Sequence, residues 1–156
     1  MTHGYDRAVV IFRDARREDV PAIVALLADD VLGAARETAA DDSYQAAFEQ
    51  IEADPRSHLV VADDDGQVAG TLQLNLIPGL SRHGMLRGQI EGVRVSSGQR
   101  GQGLGRAMIE RAIEVAREQG CGLVQLTSDK RRPDAVRFYQ SLGFTASHEG
   151  LKLPLR

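Results

Sequence analysis

The spacing of apolar and polar positions divides the chain into short strands and amphipathic helices. Residues 8–12 are an apolar run that predicts a first strand. A charged stretch follows, and then Val20, Ile23, Val24, Leu26 and Leu27 recur at helical spacing. Glu18 and Asp19 sit near that helix's start, where the macrodipole favours them. Gly33 breaks the pattern. A second helical stripe of Tyr44, Ala47, Phe48 and Ile51 ends before Pro55. Residues 59–62 predict a strand, Asp63-Asp64-Asp65-Gly66 a turn, and residues 68–77 the partner strand of a hairpin. Pro78-Gly79 ends it, and a loop carrying Arg82, His83 and Arg87 leads to another strand over residues 90–95. From Leu104 the residues Met108, Ile109, Ala112, Ile113 and Ala116 mark a long helix capped by Gly120. Residues 123–127 predict a strand, and Pro133 opens a helix with the stripe Ala135, Phe138, Tyr139 and Leu142. Residues 144–146 and 151–155 predict two short closing strands around Gly150. The order is β-α-α-β-β-β-α-β-α-β-β, an α/β (mixed α+β) fold with helices on the faces of one sheet.

The most informative stretch is 90–106, IEGVRVSSGQRGQGLGR: a strand, a glycine-rich loop and a helix start. The first turn of a helix has free N–H groups and a dipole that favours anions, and glycine lets a phosphate approach the backbone. Three phosphate-loop patterns compete with a fourth reading, a helix entry without a ligand. The P-loop spacing is met by Gly98 and Gly103, but Leu104 and Gly105 stand where Lys and Ser/Thr are required. The dinucleotide fingerprint fails from Gly101, with Arg106 in the last place, and from Gly103, with Met108 there. The pattern R-x-x-G-x-G is met by Arg100, Gly103 and Gly105.

Composition narrows the classes. The 156 residues suit a single domain over 1–156, with 42% apolar and 26% charged positions. A net charge of −3 argues against nucleic acid, and one cysteine excludes an internal disulfide. No Cys/His spacing suggests a metal, and neither a signal pattern nor a run of membrane length occurs. A cytoplasmic protein with no membrane partner is expected.

The R-x-x-G-x-G loop resembles the acetyl-CoA pyrophosphate loop of the GCN5-related N-acetyltransferases, the GNAT superfamily. A second motif sharpens the resemblance: residues 135–144, AVRFYQSLGF, are similar to that family's A-x-x-F-Y-x-x-x-G-F segment and follow the loop at the family's distance. Many members carry Asn three positions before this alanine, where this chain has Arg132. Residues 147–152, SHEGLK, resemble small-molecule members, including those that acetylate aminoalkylphosphonates. The resemblance implies a central, mostly antiparallel sheet flanked by helices, acetyl-CoA as acetyl donor, a primary amine as acceptor, and direct transfer in a ternary complex. A homodimer would accord with family habit.

The resemblance also assigns residues. The backbone from Arg100 through Gly101, Gln102, Gly103, Leu104, Gly105 and Arg106 would hold the pyrophosphate, with Arg100 and Arg106 adding charge. Val93, Arg94 and Val95 would pair through their backbone with the pantetheine arm, and the Val93 N–H would polarise the thioester carbonyl. Plain core packing for Val93 and Val95 is compatible with this. Tyr139 is the candidate acid for the departing thiolate and a candidate cofactor contact, weighed against an ordinary core tyrosine. Glu91 is the candidate base, weighed against a structural ion pair. Strict alternation puts Glu91, Val93 and Val95 on one face and Ile90, Gly92 and Arg94 on the other, unless a bulge intervenes. A carboxylate beside two valines is partly desolvated and a stronger base. His83, His148 and Cys121 fit surface or packing roles better than chemistry. Asp29, Asp30, Glu37, Asp41 and Asp42 fit a solvated surface better than a site that attracts a cationic amine, whereas Arg82, Arg87, Arg131 and Arg132 pull towards an anionic or zwitterionic one, and the sequence does not decide between the two. A protein acetyltransferase and a non-catalytic acyl-CoA sensor are the alternative functions.

Overall fold

The computed structural model describes residues 9–38 and 41–156. Among the described residues five strands form one sheet in the order β1-β2-β3-β4-β5: Ile11–Asp14, Ser57–Asp64, Gln67–Ile77, Arg87–Val95 and Leu123–Gln125. The predicted start of β1 at Ala8 lies outside the described residues. The first three junctions are antiparallel and the β4–β5 junction is parallel. The β2–β3 turn has Asp65 and Gly66 both at positive φ, as the tight primed hairpin turn requires. The Asp63 carboxylate closes it by accepting from the Gly66 N–H at 2.7 Å. Parallel pairing needs a crossover, which the long helix α5 (Leu104–Glu118) supplies.

On one face lie α1 (Val20–Ala28), the single turn α2 (Val31–Ala34) and α3 (Ser43–Ala53). Val20, Val24 and Phe48 are buried there against Leu59. A second short turn, α4 (Ser81–Gly84), precedes β4, with Arg82 and His83 in left-handed conformation. On the opposite face α5 buries Leu104, Met108, Ile109, Ala112 and Ala116 against Leu72, Leu74 and Ile90. The stripe read from the sequence is thus the core stripe, except that Ile113 is only partly buried. The last helix, α6 (Pro133–Ser141), packs Phe138 and Tyr139 onto the same core.

Two expectations are corrected. No strand follows α6: residues 144–146 and 151–155 form none. The last strand is also shorter, stopping at Gln125 rather than residue 127. The mixed sheet flanked by helices stands as expected.

The entry to α1 is held by charge. Arg13 on β1 grips Asp19 through two bonds of 2.7 and 3.0 Å and Asp63 at 2.9 Å. Asp19 also accepts from the Arg16 N–H at 2.7 Å. Its carboxyl is held below the usual range, first by the Arg13 bond, against the opposing effect of burial. The stability this contributes is present above the unfolded carboxyl's pKa and is lost as pH falls through the lower folded value. Asp19→Ala should cost about 3 kcal/mol, because it leaves Arg13 half-paired and part-buried. Urea unfolding at neutral pH checks this; a loss that persists unchanged in acid would refute the ionic cause.

Candidate active site

The site begins where β4 and β5 part. Their pairing covers only Arg87–Leu123, Gly88–Val124 and Gln89–Gln125. Beyond Gln89, among the described residues, no strand pairs with the outer edge of β4. On its inner edge β4 carries a bulge. Glu91 pairs with Gln73 and Arg94 with Thr71, so Gly92 and Val93 together face Leu72. Gly92 takes φ +61°, a left-handed conformation that a side chain rarely adopts.

The bulge overturns strict alternation. Glu91 and Arg94 share one face, the α1 side, whereas Val95 lies opposite Gly70 and, with Val93, joins the core under α5. Glu91 is exposed and does not sit between two valines. It lines a cavity of about 170 Å³ with Ile23, Leu27, Leu59, Thr71, Gln73 and Gly92. Farther along the sheet, Gln73 donates to Asn75 at 3.0 Å and Gln125 to Gln89 at 2.7 Å.

At the other end of β4 the chain turns into the glycine loop. Gly101 and Gly103 have φ of +75° and +86°. A Cβ built on either meets nothing within 4 Å, so the loop's outer surface is open. The first helical bond of α5 runs from the Ala107 N–H to the Gly103 carbonyl at 3.1 Å. The N–H groups of Leu104, Gly105 and Arg106 therefore lack intrahelical partners. Gly105 has a different role: its Cβ would lie 3.6 Å from Val95 and 3.7 Å from Phe138, so α5 and α6 approach closely there. Open room, positive-φ glycines, a helix start and an adjoining strand edge together fit the phosphate and pantetheine parts of acetyl-CoA.

Arg100 is placed differently from the expectation. Its guanidinium donates to the Val95 carbonyl at 3.1 Å and to the Asp29 carbonyl at 3.0 Å, and lies 3.3 Å from the Asp29 carboxylate. It ties the end of α1 to the loop. Arg106 contacts Glu110 on its own helix at 3.4 Å, and Gln102 donates to the Gly98 carbonyl at 3.1 Å.

Tyr139 stands over the core edge, with Phe138 and Phe144 edge-on at ring distances of 5.2 and 5.9 Å. Burial raises its phenol above the ordinary value, while the charges of Arg132 and Arg94 pull it back. Arg94, mostly buried, donates to the Val93 carbonyl at 2.9 Å and lies 3.1 Å from the Asp30 carboxylate without hydrogen-bond alignment. Burial pushes the Asp30 carboxyl up, but the Gly33 N–H and the charges of Arg94, Arg132 and Arg36 hold it below its usual value.

Arg36, Arg94 and Arg132 therefore act on one region around Asp30. Sequence reasoning named Arg94 for its backbone alone and missed Arg36, because no spacing links positions so far apart. Of the acidic stretch, Asp29 and Asp30 pair with arginines, Glu37 accepts from the Tyr44 hydroxyl at 2.6 Å, and Asp41 accepts from the Ser43 N–H at 2.9 Å. Arg131 is paired with Asp129 at 2.7 Å. His83 and His148 are exposed, and burial raises the Cys121 thiol, in keeping with packing. Among the described residues there is no metal-binding cluster and no helix long and apolar enough to cross a membrane.

Comparison with known proteins fits this arrangement. The chain is 37% identical over 90 residues to the glucosamine 6-phosphate N-acetyltransferase of Trypanosoma brucei brucei, spanning 58% of this chain and 59% of that enzyme. It is 31% identical over 136 residues to the aminoalkylphosphonate N-acetyltransferase of Salmonella typhimurium, covering 87% of this chain and 85% of that one. A crystal structure described as a transcriptional regulator from Bacillus halodurans C-125 superposes with a TM-score of 0.92 at 47% identity, over 94% of this chain and 100% of that one. The acetyltransferase (GNAT) family pattern runs through residues 20–144, from α1 past the glycine loop and Tyr139, and the chain belongs to that family.

Proposed function

We propose that the chain, as one domain, transfers the acetyl group of acetyl-CoA directly to the primary amine of a small molecule, within a ternary complex. The observation that carries the reading is the gap between β4 and β5, with the open glycine loop at one end and the Glu91 cavity at the other. Acetyl-CoA supplies an activated thioester. The N–H groups of Leu104, Gly105 and Arg106 bind phosphate at the α5 start, and the β4 edge from Val93 to Val95 aligns the pantetheine arm. The bulge turns the Val93 backbone out of the ladder and towards the carbonyl to be polarised. Glu91 takes a proton from the incoming ammonium, directly or through water, and Tyr139 gives one to the departing sulfur. No side chain of the site is an activated nucleophile, so a covalent acetyl-enzyme is not invoked.

The acceptor favoured is an amine that also bears an anion. Arg36, Arg94 and Arg132 outweigh Asp30 on the acceptor side, and two relatives act on a phosphate-bearing sugar and on aminoalkylphosphonates, as their names say. An intracellular, cytoplasmic setting accords with acetyl-CoA as donor.

The test is acetyl-CoA-dependent thiol release across aminoalkylphosphonates, aminosugar phosphates, neutral aminosugars, polyamines, amino acids, aminoglycosides and short peptides. Phosphonates or sugar phosphates should lead, and Glu91→Gln should lower kcat on the order of 100-fold. Polyamines leading would reverse the acceptor class. The description of the Bacillus relative favours a second reading, an acyl-CoA sensor. That reading requires acetyl-CoA binding without turnover on any amine, and indifference to Glu91→Gln.

A further inference from the structure

A second cavity lies under α5, on the face of the sheet that the proposed reaction does not use. The strand register fixes which side chains reach it. Asp14 stands opposite Val60, Val60 opposite Leu72, and His58 opposite Leu74. Directly opposed residues share a face, and Leu72 and Leu74 are buried beneath α5. Asp14, His58 and Val60 therefore point to the α5 side. There they line a cavity of about 240 Å³, roofed by Met108, Arg111 and Val115 of α5. The Glu91 cavity opens on the other face, between Leu59, Thr71 and Gln73, and shares no residue with this one. Two polar features go beyond packing. His58 Nε2 is buried and has no hydrogen-bond partner among the described residues. A buried polar atom left unpaired is costly, so the site favours a partner from outside the chain. The second feature is charge. Arg13 is matched by Asp19 and Asp63, and Arg111 lies 3.3 Å from Glu114 and 3.8 Å from Glu118. Among the described residues Asp14, exposed at the rim, pairs with no basic side chain. The charge left unmatched at the mouth is negative.

We propose that this cavity binds a small apolar amine, with its ring or short chain between Val60, Leu74 and Met108 and its ammonium group at His58 and Asp14. Apolar cavities of about 150 Å³ already hold a benzene ring, so the room suffices. The thioether of Met108 adapts to the shape of what it meets. An imidazole with its proton on Nδ1 presents the Nε2 lone pair to a donor, and the Asp14 carboxylate accepts as well. His58 is the diagonal neighbour of Asp14 across the β1–β2 pair, at roughly 7–8 Å between backbones, which lets one ammonium reach both side chains. A carboxylate in the same place would meet Asp14, with Glu114 and Glu118 beyond it on α5. A neutral alcohol would satisfy His58 and leave Asp14 unmatched. The amine is the one head group that suits both.

The test uses the full chain without acetyl-CoA and does not depend on the proposed reaction. Phenethylamine is titrated while the backbone amide NMR signals are followed. Saturable shifts should gather at residues 58–60, 72–74 and 108–115. 2-Phenylethanol should bind several-fold more weakly, and 3-phenylpropanoate more weakly still. His58→Leu should weaken amine binding about tenfold, the loss of one hydrogen bond to a charged group. Asp14→Asn should weaken it several-fold; Asp14 is exposed, so this variant keeps the fold even where His58→Leu disturbs it. Shifts that are absent, or that gather at the Glu91 cavity instead, overturn the proposal. So does an alcohol or carboxylate that binds as tightly as the amine, or an affinity that neither variant changes.

Discussion

Tyr139→Phe should lower kcat by about 10²–10⁴-fold while leaving the KM for acetyl-CoA nearly unchanged. The substitution removes one oxygen and keeps the ring. The edge-on contacts with Phe138 and Phe144 use the ring, so the α6 packing should survive. On the proposed mechanism, what would be lost is the proton offered to the sulfur as the C–S bond breaks, and that loss would fall on the chemical step. Burial holds the phenol above its ordinary value despite Arg132 and Arg94. The acid form therefore persists through neutral pH and ionises only in alkali. The wild type should lose kcat as pH rises past the phenol's value, and the variant should lack that limb. Steady-state kinetics against pH reads both. An unchanged kcat would remove Tyr139 from the chemistry and return it to the core stripe.

Gly103→Glu should weaken acetyl-CoA binding on the order of 100-fold or more, about 3 kcal/mol. Two causes act together. Gly103 holds φ +86° at the N-cap of α5, where a side chain is strained. The added carboxylate points into the open room around the loop, where the phosphates would lie. Gly103→Ala separates them, since it imposes the backbone strain without the charge. The alanine variant should lose a little thermal stability and retain most of its affinity. The glutamate variant should match it in stability and lose binding in a calorimetric titration. Equal affinity in all three proteins would remove the loop from phosphate recognition.

Much of this was legible because it is local. The α5 stripe Leu104–Met108–Ile109–Ala112–Ala116 needs only its own period to announce a buried face, and all five residues are buried. Asp63 through Gly66 form the hairpin turn, and Pro133 stands at the first position of α6. The two motifs at 100–105 and 135–144 were visible as fixed spacings, because a glycine-rich helix entry and a helix face are each built within one stretch of chain.

Three matters were decided by tertiary structure. The side to which Glu91 points turned on one extra residue at Gly92–Val93; a bulge leaves almost no mark on periodicity, yet inverts every following position. The gathering of Arg36, Arg94 and Arg132 around Asp30 joins β4 to two separate loops, and no spacing along the chain encodes it. Arg100, read as a phosphate ligand from its motif, is engaged by Asp29 just past α1, a partner 71 positions away. The closing leucines mark the boundary most clearly. The sequence by itself determined that residues 151–155 would favour a strand, because alternation is a property of the segment. Whether that strand forms depends on an edge to pair with, and a strand's hydrogen bonds always belong to its neighbour.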